Sequence, residues 1–193
     1  AVDSISPFDF SIGNVFSKYN SNGQLLLHRL YTDTSRTYEN WEAPFTLTND
    51  HGLLTTGYSF ENGDMKGFVI KYDTLGNILF KRDFYSLFYP IEDFISPSDI
   101  LVLDNNDFII SAMLENNEGT NNTTNALYKF NEAGELEWEQ FYDKSTFERP
   151  YAIIEDQSDG FIIGTWTSNT NTTNNNFIAR TYLFKVDDEG VLK

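Results

Sequence analysis

Along this chain short apolar runs alternate with polar clusters rich in Asn, Asp, Gly and Thr. No long stretch carries apolar residues at helical spacing between capping signals, so the pattern predicts strands throughout. One turn recurs, as KYNSNGQLLL from Lys18, KYDTLGNILF from Lys71, KFNEAGELEW from Lys129 and KVDDEGVLK from Lys185. Its elements are a lysine, an apolar residue, Asp or Asn, two free positions and Gly, with the lysines 53, 58 and 56 residues apart. Asp or Asn at the head of a type I turn accepts backbone hydrogen bonds, and a Gly three residues on takes the φ > 0 conformation that closes a hairpin with a bulge. Asn20 with Gly23, Asp73 with Gly76, Asn131 with Gly134 and Asp187 with Gly190 therefore predict four hairpin turns.

A second feature lies between these turns. APFTLTNDHGLLTTGY, DILVLDNNDFIISAM and YAIIEDQSDGFIIGTW each read as strand, polar turn, strand, with Gly52, Asp107 and Gly160 aligned. Two hairpins make a four-strand unit: 43–48, 52–59, 67–73 and 77–84, then 98–103, 107–114, 126–131 and 135–142. A third unit has 150–155, 160–167 and 177–187 with its last strand cut off at Lys193, and the chain opens with a pair near 13–20 and 24–31. The first strand of a unit (ILVL, AIIE) is nearly continuous in apolar residues and is expected to be buried on both faces; the fourth (NILFKRDFY, ELEWEQFYD) mixes charge with aromatics and is expected at a wetter outer edge. A period of about 50 residues with four antiparallel strands per unit predicts an all-β fold of β-propeller blades. The expected organisation is a single segment, 1–193, with a partial blade at 13–31, blades at 43–84 and 98–142, and a truncated blade at 150–193. Closed propellers have about 4 to 8 blades, so the reading is an incomplete or partial propeller, completed by further blades or by another copy of the chain.

Lys129-Phe130-Asn131 with Gly134 and Trp138 resembles the blade repeats of bacterial secreted β-propeller proteins, and the same hairpin is similar to quinoprotein-like blades. The aromatic after the turn is Trp138 in one unit and Phe80 in another, but Leu27 in the first. The resemblance implies a blade and an exported protein, located extracellularly, at the cell surface or in the periplasm. It supplies no residue set for a quinone cofactor.

Composition narrows the partners. The net charge of −16 over 193 residues opposes binding to nucleic-acid phosphates and to anionic membrane surfaces. Without cysteine there is no disulfide, thiolate metal site or cysteine nucleophile. No apolar run approaches the roughly 20 residues of a membrane-spanning helix, so membrane insertion is not expected, and the first residues do not read as a signal peptide.

Candidate chemistry falls where the units differ. The linkers joining one unit to the next carry Tyr38, Trp41, Tyr89, Arg149 and Tyr151, with Phe88, Phe94 and Phe147, and aromatics with Arg suit a peptide or a sugar. The same side chains also fit packing between blades. LENNEGTNNTTNA and TSNTNTTNNNF read as solvated loops, with Asn-x-Ser/Thr acceptor patterns at Asn121, Asn122 and Asn171. Asp104 to Asp107, and Asp156 with Asp159, offer oxygens to calcium, but ordinary turn chemistry accounts for them and no cofactor is expected. His28 and His51 stand apart, Asp187, Asp188 and Glu189 are turn residues, and no P-loop, dinucleotide fingerprint or nucleophile elbow is present. The sequence reading is a non-catalytic extracytoplasmic scaffold or recognition module for a protein or glycan, using its long-loop face. The alternative is part of a larger propeller enzyme acting on polysaccharide, with catalytic residues outside this chain.

Overall fold

The computed structural model describes residues 14–31, 37–39, 44–61, 64–85, 94–115, 123–143, 147–156, 159–171 and 176–193. Every named element among them is a strand: β1 (Asn14–Tyr19), β2 (Leu25–Tyr31), β3 (Thr37–Glu39), β4 (Phe45–Leu47), β5 (Leu53–Glu61), β6 (Asp64–Tyr72), β7 (Ile78–Phe84), β8 (Phe94–Val102), β9 (Phe108–Glu115), β10 (Thr123–Phe130), β11 (Leu136–Tyr142), β12 (Phe147–Glu155), β13 (Phe161–Asn171) and β14 (Asn176–Val186). They form antiparallel sheets in chain order: the pair β1-β2, then β3/β4-β5-β6-β7, then β8-β9-β10-β11, then β12-β13-β14. These are propeller-like blades, and the described sheets do not close into a ring.

The recurrent hairpin forms by the chemistry its residues offer. Gly23, Gly76, Gly134 and Gly190 all have φ between 74 and 77°. The head residue caps its own turn; Asp73 Oδ1 accepts from the backbone N–H of Leu75 and of Asn77, each at 2.8 Å. Register shifts next to Lys18, Lys71 and Lys129 are the bulges that such a turn requires. The motif lysine clamps the blade's other turn in two blades. Lys71 Nζ lies 2.9 Å from Asp50, and Lys185 pairs with Asp156. Lys129 instead meets Glu137 at 2.9 Å, on its own hairpin. Hydrogen bonding from Thr48, then the Lys71 ammonium, holds the Asp50 carboxyl down at about 2.

The turns between first and second strands close by the same backbone pattern, for example His51 N–H to Thr48 C=O at 2.9 Å and Asn106 N–H to Leu103 C=O at 2.9 Å. Here the left-handed seat belongs to His51 (φ 62°) and Asn106 (φ 67°). Gly52 is needed for space instead, since a Cβ there would stand 2.5 Å from the Tyr72 carbonyl oxygen.

Successive blades stack face to face through one repeated interface. Leu54, Val69 and Phe84 pack on Ala126, Tyr128 and Phe130 of the next blade, and Ile109, Leu127 and Tyr142 on Phe184 and Val186 of the blade after it. Phe16 and Tyr31 meet Phe68, Ile70 and Tyr72 in the same way. The post-turn aromatic has a defined place in this joint. A Cβ on Gly134 would lie 2.7 Å from the Phe80 ring, and one on Gly190 3.1 Å from Trp138, so each of these blades seats its turn glycine on the aromatic of the blade before. Where that aromatic is replaced by Leu27, the ring beneath Gly76 comes from Phe16.

The expectation that the first strand of each unit is buried on both faces is corrected. Phe45 is 73% exposed and Ile154 56%, whereas β9 is buried along nearly its whole length. The first strand is a sheet edge with a strand on one side only; in the middle blade its apolar run packs in both joints, Ile100 in one and Leu101 in the other, while Phe45 and Ile154 face outward. Full burial falls on the inner strands β9 and β10 of the middle blade, which have a strand on each side and a blade on each face. The first strands are also longer than expected at their N-terminal ends, so Phe94, Phe147 and Arg149 belong to strands rather than linkers. Each of these long strands carries one extra residue at a register shift, Ser98 in β8 and Tyr151 in β12, next to a proline that cannot donate to the ladder. In the first blade the same place is wider, and the strand is split into β3 and β4.

Candidate functional site

Of the five residues expected to form a recognition face, the structure describes the side chains of two, Arg149 and Tyr151. Trp41 and Tyr89 lie outside the described residues. Tyr38 is paired through its backbone with Ser59, and its side chain is not described. Arg149 stands opposite Trp166 in the β12-β13 ladder and is half-buried. Tyr151 is 55% exposed because it is the extra residue of the bulge.

Two other features stand out. The first is a groove of about 460 Å³ between the initial strand pair and the first complete blade. One wall is β1, from Val15 to Tyr19; the other is Phe45 and Leu47 of β4, with the turns at His51 and Thr74 across its end. The groove therefore opens at the tight-turn end of the blades, away from the loops singled out by sequence. Phe45 and Leu47 are largely exposed, so the wall is apolar. Among the described residues β1 pairs only with β2. In the two complete blades the equivalent strand has a second neighbour, β5 on β6 and β9 on β10, and in the last blade the same position is held by β13 on β14. Lys18 is drawn off to the Thr74 carbonyl at 3.2 Å.

The second is a buried polar joint between the last two blades. Glu148 is fully buried, and its two oxygens accept from Asn125 Nδ2 at 2.8 Å and from the Tyr182 hydroxyl at 3.1 Å. Thr165 Oγ1 donates to Asn125 Oδ1 at 2.9 Å, and Thr123 Oγ1 to the Glu148 carbonyl at 2.8 Å. Burial first, then the charge of Glu148 and the hydrogen bond to it, pushes the Tyr182 hydroxyl well above the usual phenol range and keeps it a donor. At the preceding joint the place of Glu148 is taken by Ile95, that of Thr165 by Ala112 and that of Asn125 by Gly67, all of them apolar. Glu148 thus works as a joint between blades; it has no surface through which to reach a substrate.

The acidic turns are occupied by protein partners. Asp107 accepts from Glu132 N–H at 3.0 Å and from Asn105 at 2.6 Å, Asp156 pairs with Lys185, and Asp159 with Lys193. Among the described residues no three acidic or histidine side chains converge to hold a metal ion. His28 Nδ1 meets Ser17 Oγ at 3.0 Å across the first strand pair.

Sequence reasoning missed the groove. No protein-family model matches the chain, and no curated protein matches it. The architecture alone supplies the class: blades of an open, propeller-like all-β fold.

Proposed function

We propose that this chain is a non-catalytic recognition module, acting outside the cytoplasm, that binds an extended segment of a partner protein along the free edge of β1. The observation that supports it is the apolar groove beside β1, on the edge that no other described strand pairs with, at the position where each later blade holds its second strand. Main-chain hydrogen bonds to β1 would give affinity, and side chains on alternate residues of the guest would enter between Val15 and Phe45, the usual division of labour in strand addition. The acidic charge of the chain favours a guest with lysine or arginine beside its apolar residues.

Selection from a displayed peptide library against the immobilised protein tests this. The expected outcome is a family of extended peptides with alternating apolar residues, whose binding weakens at least tenfold in Phe45→Asp and Leu47→Asp variants. Peptides that bind both variants as well as the parent place the site elsewhere. Absence of any protein or glycan partner, together with turnover of a polysaccharide, would overturn the reading in favour of a propeller enzyme.

A further inference from the structure

The joint between the two complete blades holds a cleft of about 300 Å³. Phe84, Phe130 and Leu136, all buried or half-buried, give it apolar walls. The exposed Arg82 and Glu135 line it from the two blades, Arg82 from β7 and Glu135 from the turn before β11. The same positions recur at the other two joints, and there direct contacts across the joint take up the place. At the joint before, Arg29 stands where Arg82 does, counted from the motif lysine, and donates to Asn77, the counterpart of Glu135, at 2.7 Å. At the joint after, Tyr142 stands where Phe84 does, and its hydroxyl donates to the Gly190 carbonyl at 2.6 Å, with Gln140 and Val191 in the places of Arg82 and Glu135. Phe84 has no hydroxyl to offer. Arg82 turns back to the Lys81 carbonyl at 3.0 Å and lies 5.6 Å from the centre of the Phe80 ring, while Glu135 is held by Asn131 Nδ2 at 2.8 Å. This joint alone of the three therefore combines a cleft, an apolar lining and one side chain of each charge from facing blades.

We infer that this cleft binds a free α-amino acid with an apolar or aromatic side chain. The Arg82 guanidinium presents a planar fork that matches a carboxylate. The Glu135 carboxylate keeps lone pairs beyond the one that Asn131 engages and accepts from an ammonium group, and Asp83 adds a second negative charge to the lining. The side chain of the ligand enters against Phe84 and Phe130, where its burial supplies most of the affinity. The volume lies at the lower end of the range of small-molecule sites, which favours a single amino acid over a longer ligand. A zwitterion is selected over an amine or an acid of the same size, because either of these leaves one charged group of the cleft without its partner. The cleft shares no residue with the groove beside β1 and lies at a different joint, so it goes beyond the recognition reading.

Calorimetric titration of the whole chain with L-phenylalanine tests this. Two analogues accompany it: L-phenylalanine amide, which lacks the carboxylate, and N-acetyl-L-phenylalanine, which lacks the ammonium group and stands for a peptide C-terminus. The expected result is saturable binding of L-phenylalanine at one site, with both analogues at least tenfold weaker. Arg82→Gln and Glu135→Val bring in the residues of the next joint at exposed positions, and each should weaken L-phenylalanine at least tenfold. Arg82→Gln should leave the affinity for the amide unchanged, and Glu135→Val that for the N-acetyl compound. Phe84→Tyr, the residue of the next joint, should abolish binding by placing a hydroxyl in the cleft while the urea midpoint of unfolding is kept. No binding of L-phenylalanine up to about 10 mM, analogues that bind as tightly as the amino acid, or unchanged binding in both surface variants overturns the assignment. Peptide binding in the groove is read separately, through the Phe45 and Leu47 variants, so that either reading can fail without the other.

Discussion

Replacing Gly134 by alanine tests whether the turn motif joins blades as well as closing hairpins. Two costs add at this position. Its φ of 76° is left-handed, which an alanine adopts at about 1–2 kcal/mol. The new Cβ would stand 2.7 Å from the Phe80 ring, which also stacks on the Phe108 ring at 6.4 Å and lies under the Arg82 guanidinium at 5.6 Å. Displacing a ring so confined costs about 1–3 kcal/mol more, for a total of about 2–5 kcal/mol. Gly23→Ala carries the first cost alone, because its Cβ would enter open space. Urea unfolding followed by circular dichroism gives each cost as a shift in midpoint at constant slope. The decisive measurement is the double-mutant cycle of Gly134→Ala with Phe80→Leu. A smaller side chain beneath the added methyl group should recover part of the loss and give a coupling of about 1 kcal/mol or more. Costs that add within about 0.5 kcal/mol would show that Phe80 does not support the next blade's turn.

Removing the acceptor at the last joint, with Glu148→Ala, leaves the Asn125 amide and the Tyr182 hydroxyl short of a buried partner, each at about 1–3 kcal/mol; urea unfolding should show a loss of about 2–5 kcal/mol, and an unchanged midpoint would contradict the joint. Because the Asp50 carboxyl is held at about 2, below its ordinary value of 3.8, its contribution to stability is present above that ordinary value and is lost as pH falls towards 2. Thermal melts at about pH 5 and about pH 2.5 should therefore differ less in Asp50→Asn than in the parent, and an equal difference would refute the assignment. His51→Gly relieves a left-handed non-glycine residue and should raise stability by about 0.5–1 kcal/mol after the added unfolded-state entropy, so a net loss would contradict the turn geometry.

Much of the fold was legible because its signals are local. The Asp or Asn head and the glycine three residues on act within one turn, so four hairpins could be placed by spacing alone, and two hairpins per period define a blade. Asp73 caps its turn whatever surrounds it. The candidate site was less legible, since aromatic content marks both ligand platforms and packing. Tyr151 is exposed by a bulge that depends on pairing with β13, and Arg149 sits in a strand because that pairing runs further than its apolar run.

The repeat, the turns, the strand order within each blade and the net charge of −16 can all be read from the chain alone, because turn chemistry and net charge need no knowledge of distant contacts. Three-dimensional packing settles the rest: which face of each apolar strand is covered, that Phe80 and Trp138 serve the next blade's glycine, and that Glu148 is a buried joint where Ile95 fills the same place one blade earlier. It also forms the groove between β1 and β4. Burial and strand edges depend on what lies across an interface, often a whole blade further along the chain, and a pattern of apolar residues reads the same whether or not anything lies there.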